Sequence, residues 1–229
     1  MKIYQFYAEL ESYKPKMWRR FQVDADITVA QLGYTVMSMY EMMASHLLSI
    51  EHERQLRTPS GRKSQRTALI NRYSIPNEEA DEMFGFEDED ATTKKLSGLD
   101  LTDLNRLVVW YDFGDDWRVI VTLEEVQENV NANAVELPHV IRGKGFGIME
   151  DCGGVYGLMD LTDAFEEKQG EAYEGYSEWL GIDELDLKKF DVKDANFRLK
   201  KIPELYQKIY EEGYRVTDAD IDFLERRYS

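Results

Sequence analysis

The chain has 229 residues, of which 43% are hydrophobic and 12% aromatic, enough to bury one substantial core or two small ones, and we expect one domain with embellishments. Its 45 acidic residues against 28 basic ones give a formal net charge of −17, so Coulomb repulsion opposes generic binding to nucleic acid or to an anionic membrane unless a local basic patch reverses it. The single cysteine, Cys152, rules out an internal disulfide or a cysteine-rich zinc cage and suits a reducing compartment, by default the cytoplasm.

The first ten residues alternate polar and apolar side chains and lack the continuous apolar core of a signal peptide. No apolar run approaches the roughly 20 residues of a membrane span. IYQFYAEL and MWRRFQV alternate at period two around the turn-prone SYKPK and predict a β-hairpin with Lys14 and Lys16 toward water. Thr28 and Gln31 then form a capping box, with Ile27 placed to staple onto Leu32. Val29, Leu32, Val36, Met39 and Met43 recur at three- and four-residue steps, which predicts a buried stripe on a helix over 28–43. The Met-rich end of that helix suits core filling better than a plastic binding surface, because methionine packs irregular gaps. HLLSIE at 46–51 reads as a short buried strand.

Charge segregates in an excursion over 52–95. Arg54, Arg57, Arg62, Lys63 and Arg66 form a basic patch with no acid among them. Residues 78–90 carry eight acids and no base. A solvated excursion whose halves neutralise each other is the plainer account; a patch that docks a phosphate or an acidic partner is the sharper one.

The stretch WYDFGDDWRVIVTLEEV predicts a second hairpin over 108–124. Gly114-Asp115 suits a two-residue type II′ turn, which sets Asp112 opposite Trp117, Tyr111 opposite Arg118 and Trp110 opposite Val119. The core face would then be Val108, Trp110, Trp117, Val119, Val121 and Leu123, with Asp112 at its tip and Arg118 over Tyr111 on the other face. Asp115 and Asp116 are explained by turn chemistry. Asp112 beside two tryptophans needs backbone amides, a cation such as Arg19, Arg20 or Arg142, or a proton. The glycine-rich stretch 137–158 reads as an ordered loop without regular structure, folded against that hairpin. It matches no phosphate-cradling motif.

In the C-terminal third, Trp179, Leu180 and Phe190 read as anchors. A helix is expected to start near 194, a second to end at Gly213, and a third to reopen at Thr217 and Asp220. These helices would cover the core or pair with a second copy.

Candidate chemistry rests on Asp112, Asp115, Asp116, Glu150, Asp151 and His46. The five carboxylates could hold Mg²⁺ or Mn²⁺ for a metal-dependent hydrolase if the fold gathers them. No HExxH or HxH spacing supports zinc. His46 at a helix-to-strand corner serves either as a ligand or as a hydrogen-bonded structural residue, and structure is the commoner role. Acids beside Cys152 raise its thiol pKa and argue against a cysteine nucleophile.

WRRFQV, TVAQL with SHL, YDFGDDW followed by TLE, EDCGG with YG, WLG, and FD with a downstream Asn together resemble the plasmid open-reading-frame-3-like family, named from a Ri plasmid. Some relatives are labelled passenger proteins of insertion elements. The resemblance spans about residues 3–200 and implies an α+β domain with no settled activity. A resolvase-like role, suggested by some relatives' names, finds no recombinase constellation here. Where relatives carry His, Trp and His, this chain has Gly33, Met42 and Val119, and Gly147, Ile148 and Met149 replace their Cys-Pro-Pro. His46 alone remains of the family's usual histidines, which fits a member that binds without catalysing.

The expectation is therefore an α+β fold over 1–200, with a mainly antiparallel sheet of two hairpins packed on one long amphipathic helix, and a helical extension over 201–229. The expected role is a non-catalytic, cytoplasmic interaction module without a cofactor. It would take a protein or peptide partner, with a homodimer possible, and bind neither generic nucleic acid nor membrane. The metal-dependent hydrolase is the alternative.

Overall fold

The computed structural model describes residues 1–57, 60–61, 63–77, 88–128, 130–131 and 136–225, with backbone alone at 63–66. Its strands are β1 (Ile3–Leu10), β2 (Trp18–Asp24), β3 (Leu48–Arg57), β4 (Lys63–Ser74), β5 (Glu89–Asp90), β6 (Asn105–Tyr111), β7 (Trp117–Gln127) and β8 (His139–Lys144). They form one eight-stranded sheet in the order β5-β4-β3-β6-β7-β1-β2-β8, antiparallel throughout except for β4 with β5. Six α-helices are described: α1 (Val29–Met39), α2 (Gly154–Glu167), α3 (Glu171–Leu180), α4 (Val192–Leu199), α5 (Ile202–Glu212) and α6 (Asp218–Leu224). The fold is α+β.

Thr28 caps α1 as its sequence predicts: its hydroxyl accepts from the Gln31 amide at 3.1 Å while the Gln31 side chain accepts from the Thr28 amide at 3.0 Å. The helix stops at Met39, short of 43, because Glu41 and Ala44 take positive φ values of 60°. Met37, Met39 and Met42 are buried and fill the core. The helix lies on the sheet face built from Phe6, Ala8, Phe21, Val23, Ile50, Val109 and Val121, all buried with it in one cluster. Burying each such large side chain contributes about 1.5–3 kcal/mol. Across the other face run paired charges: Arg20 with Glu124 at 2.6 Å, Arg72 and Arg118 with Glu51 at 2.8 and 2.6 Å, and Arg106 with Glu53 at 2.8 Å.

The short strand expected at 46–51 is a longer one that carries the chain into the charged excursion. β3 and β4 pair from Ser49 opposite Ser74 to Arg57 opposite Lys63, so the first half of the excursion is regular structure. Arg54 and Arg57 lie on β3; Arg62, the side chains of Lys63 and Arg66, and the acidic residues 78–87 lie outside the described residues.

The hairpin at 108–124 departs from the expected register by one residue. Tyr111 faces Trp117, Trp110 faces Arg118 and Val109 faces Val119, because five residues rather than two leave the ladder at the tip. The positive φ values fall on Asp112 (52°) and Asp116 (55°), not on Gly114. A one-residue slip inverts a strand's faces, so Leu107, Val109 and Tyr111 of β6 point into the core. Trp110 turns outward, with the Arg118 guanidinium 5.1 Å from its ring. The glycine-rich stretch also proves more regular than expected, since it contains β8 and the start of α2. Gly213 after α5 and the Thr217–Asp220 box on α6 follow the sequence signals, whereas α4 starts at Val192, before the expected 194, because the Asp191 side chain accepts from the Lys193 and Asp194 amides; Tyr206 and Leu224 are buried against the core.

Candidate functional site

Three irregular segments meet where β6 turns into β7: the loop from α1 to β3, the hairpin tip, and the EDCGG loop. Asp112 holds the tip. Its Oδ1 accepts from the Gly114 amide at 3.0 Å and the Asp115 amide at 3.4 Å, while its carbonyl accepts from the Asp116 amide at 2.8 Å. An acid tolerates the left-handed backbone here because its short side chain bonds the turn it opens.

Glu150 ties the other two segments to it. Its Oε1 accepts from the Met43 amide at 2.6 Å and the Tyr111 hydroxyl at 2.7 Å, and its Oε2 accepts from the Ser45 hydroxyl at 2.7 Å. Burial and the Glu150 charge raise the Tyr111 phenol above its ordinary value, so it is a permanent donor. His46 completes the group, with Nε2 at 3.6 Å from both Asp112 Oδ2 and Glu150 Oε2. Its ring meets Tyr111 edge-on and its carbonyl accepts from the Tyr210 hydroxyl at 2.6 Å. The Tyr206 hydroxyl donates to the Met42 carbonyl, so α5 braces the same loop.

The six candidate residues thus divide. Asp112, Glu150 and His46 come together. Asp115 instead faces the glycine loop: a Cβ on Gly154 would collide with its carbonyl oxygen, while its own Oδ2 is buried without a hydrogen-bond partner among the described residues. Asp116 and Asp151 are exposed. Among the described residues no three or more of His, Cys, Asp and Glu are arranged to hold a metal ion. Of the holders expected for Asp112, the backbone amides serve and the arginines do not. Arg19 is fully buried, donating to the carbonyls of Met39, Trp18, Lys144 and Phe146 at 2.7–3.1 Å. Arg20 pairs with Glu124, and Arg142 sits on β8 opposite Arg20. His46 stands against the other oxygen of the Asp112 carboxylate.

Burial, and then the charge of Asp115, push the Cys152 thiol up to about 12, so it is no ready nucleophile. Ser45 donates to the Glu150 carboxylate, whose other oxygen accepts from Met43 and Tyr111, so its hydroxyl is one of the group's fastenings.

A second feature escaped the sequence reading, although composition alone could have shown it. Residues 150–186 carry twelve acids and one base, Lys168, a segregation as strong as that of the 52–95 excursion. Most of this stretch forms the α2–α3 pair, from which Tyr156 and Trp179 emerge 73% and 48% exposed. Tyr176 lies 6.3 Å from Trp179, ring to ring.

The fold is α+β, and Glu150, Tyr111, Ser45 and His46 are joined at one end of its sheet. Residues 2–194 match the family described as plasmid pRiA4b ORF-3-like protein, and the chain belongs to that family. It is also similar to a crystal structure of a protein of unknown function, MM3350, from Methanosarcina mazei Go1. That likeness has 26% sequence identity and a TM-score of 0.67, and covers 84% of this chain and 97% of that one. No curated protein matches significantly.

Proposed function

We propose that this protein is a non-catalytic interaction module for a protein or peptide partner. The carrying observation is how the two central carboxylates are used. Glu150 is bonded by Met43, Tyr111 and Ser45, and Asp112 by the amides of its own turn. These bonds occupy the carboxylate oxygens with donors of the chain itself and leave no need of a cation, so the cluster reads as a fastening of three loops. The frame of this reading is the two hairpins, β1–β2 and β6–β7, laid against α1. The reading places the chain in a reducing cytoplasm, keeps it off generic nucleic acid by its net charge of −17, and is compatible with a past link to mobile elements. No helix of the described residues is long and apolar enough to cross a membrane.

One observation favours a metal-dependent hydrolase instead: His46 faces Asp112 and Glu150 at equal distances, and a modest closing of the three would make a ligand set for Mg²⁺ or Mn²⁺. Thermal unfolding with and without these ions separates the two readings. The module reading expects the melting temperature to stay within about 1 °C at millimolar metal, whereas a site of micromolar affinity would add about 4 kcal/mol at 1,000 times its Kd. A metal-dependent rise that vanishes in Asp112→Asn with Glu150→Gln would overturn the proposal. Glu150→Gln alone is expected to lower stability by about 1–3 kcal/mol, since one amide cannot replace a carboxylate that accepts three bonds.

A further inference from the structure

We infer that the cleft between the C-terminal turn of α2, the 181–191 loop and α4 binds an extended peptide of alternating basic and apolar residues. This rests on the interaction-module reading and names the chemistry of its partner.

The cleft is built into the fold, because its loop is fastened at both ends. The Phe146 amide, just past β8, donates to the Leu187 carbonyl at 2.8 Å. From α3 the Tyr173 hydroxyl donates to the Asp183 carbonyl at 2.9 Å and the Ser177 hydroxyl to the Ile182 carbonyl at 2.7 Å. Phe146, Phe165 and Leu187, all buried, give the cleft an apolar floor, and half-buried Ile182 and Leu185 extend it. The cleft encloses about 1190 Å³, more than the roughly 300–1,000 Å³ of a small-molecule pocket, which suits a stretch of chain.

Arg198 marks where a main chain would sit. It lines the cleft from α4 at 6% exposure. Its terminal nitrogens are committed, Nη1 to the Phe223 carbonyl at 3.1 Å and Nη2 to the Leu224 carbonyl at 2.9 Å and the Glu41 carboxylate at 3.1 Å. Its Nε is buried without a hydrogen-bond partner among the described residues. A buried donor left unbonded is costly, so an acceptor that reaches it is bound the more firmly. Glu41 already balances the guanidinium charge, and the remaining N–H therefore suits a neutral acceptor such as a peptide carbonyl.

The rim sets the sign of the side chains. Six acids and four bases line the cleft, beside the 150–186 stretch of twelve acids and one base. Lys188 meets Glu166 at 2.6 Å and Lys168 meets Glu184 at 2.7 Å, but exposed pairs of this kind are weak and exchange partners readily. Asp183 and Asp186 stand exposed on the same loop. Such a rim draws in cations. An extended chain turns alternate side chains to opposite faces, so its apolar residues meet the floor while its lysines reach the rim.

Calorimetric titration of the full chain with acetyl-Lys-Phe-Lys-Leu-Lys-amide at about 50 mM salt should give one site with a Kd on the order of 10 μM. Serine in place of the Phe and Leu should weaken binding about tenfold or more, since the floor then has nothing to cover it. Lysine amide alone should bind about a hundredfold more weakly, because it spans no more than a corner of the cleft. Asp183→Lys with Asp186→Lys should weaken the peptide about tenfold, whereas Glu174→Lys with Glu178→Lys, the same charge change on α3 outside the cleft, should leave it nearly unchanged. All four sites are exposed, and circular-dichroism melts check that each variant is folded. Should the loop variant misfold, the Arg198 Nε–H resonance of the unaltered chain decides: it should shift and exchange more slowly with solvent as the peptide saturates. No binding, indifference to the serines, equal weakening by both charge pairs, lysine amide binding as tightly as the peptide, or an unmoved Arg198 resonance at saturation overturns the inference. A chain that ignores the peptide yet keeps its melting temperature in Mg²⁺ and Mn²⁺ sinks this site and leaves the module reading standing.

Discussion

His52 shows what a single residue commits the fold to. It lies on β3 at 3% exposure, its ring bonded to the Asp100 backbone and its Nε2 buried without a partner among the described residues. Burial lowers its pKa below the ordinary 6.5, outweighing that backbone bond. In the unfolded chain His52 takes up a proton near 6.5, and in the folded chain only at lower pH. Its contribution is therefore fully present above 6.5 and is lost as pH falls from there toward the folded value, with a slope of at most about 1.4 kcal/mol per pH unit for one proton. Urea unfolding between pH 7 and 5 should show this loss, and His52→Gln should flatten it. An unchanged slope in the variant would assign the loss elsewhere. Glu51 acts in a separate window. Burial works to raise its pKa, but bonds from Arg72 and Arg118 hold it below the ordinary 4.5, so its stabilisation is lost only as pH falls below that value. In the sequence His52 stands between Glu51 and Glu53 with no partner spacing to mark it. Its burial depended on a strand that continued past residue 51, which local composition could not show.

Among elements, those whose ends are chemical were legible and those whose ends are geometric were not. Capping boxes at Thr28 and Thr217 and the glycine after α5 name their partners within three residues. The β6–β7 register hung instead on which tip residues take positive φ. The choice fell on two aspartates, where glycine is the default. Likewise glycines set by close packing, Gly143 against Phe190 and Gly154 against Asp115, hid β8 and α2. Gly153 and Gly154 separate these causes. Both have positive φ, at 88° and 70°, but a Cβ at Gly153 meets nothing within 4 Å, whereas one at Gly154 strikes the Asp115 backbone. Gly153→Ala should cost about 1 kcal/mol for its left-handed backbone alone. Gly154→Ala adds a backbone collision that no rotamer can relieve and should cost at least 2 kcal/mol more, on the scale of overpacking. Equal costs in denaturant melts would mean that the EDCGG loop does not bear on the hairpin tip. The candidate site was legible in the same partial way: Asp112, Glu150 and His46 stood out by residue type, but the sorting of Asp115, Asp116 and Asp151 away from them depended on that tip.

At the scale of the whole molecule, an open sheet must keep its edges from pairing with other chains, and β8 shows how this one does so. Its inner edge pairs with β2. On its outer edge, Asn196 of α4 accepts from the Val140 amide at 2.8 Å and donates to the Val140 carbonyl at 2.9 Å, so one side-chain amide stands in for the next strand. Long-range repulsion from a net charge of −17 adds a second barrier, which salt removes. Asn196→Leu deletes both bonds, leaves two backbone groups unpaired at a part-buried site, and should cost about 1–3 kcal/mol. Asn196→Asp keeps the acceptor, loses the donor, and should cost less. The Leu variant also uncovers the edge, so at about 0.5 M salt, with the charge barrier screened, it should scatter light within hours at concentrations where wild type and the Asp variant stay clear. Without added salt all three should remain clear. If Asn196→Leu is as stable as wild type and as clear in salt, the amide is not what guards β8, and the charge alone keeps the sheets of neighbouring molecules apart.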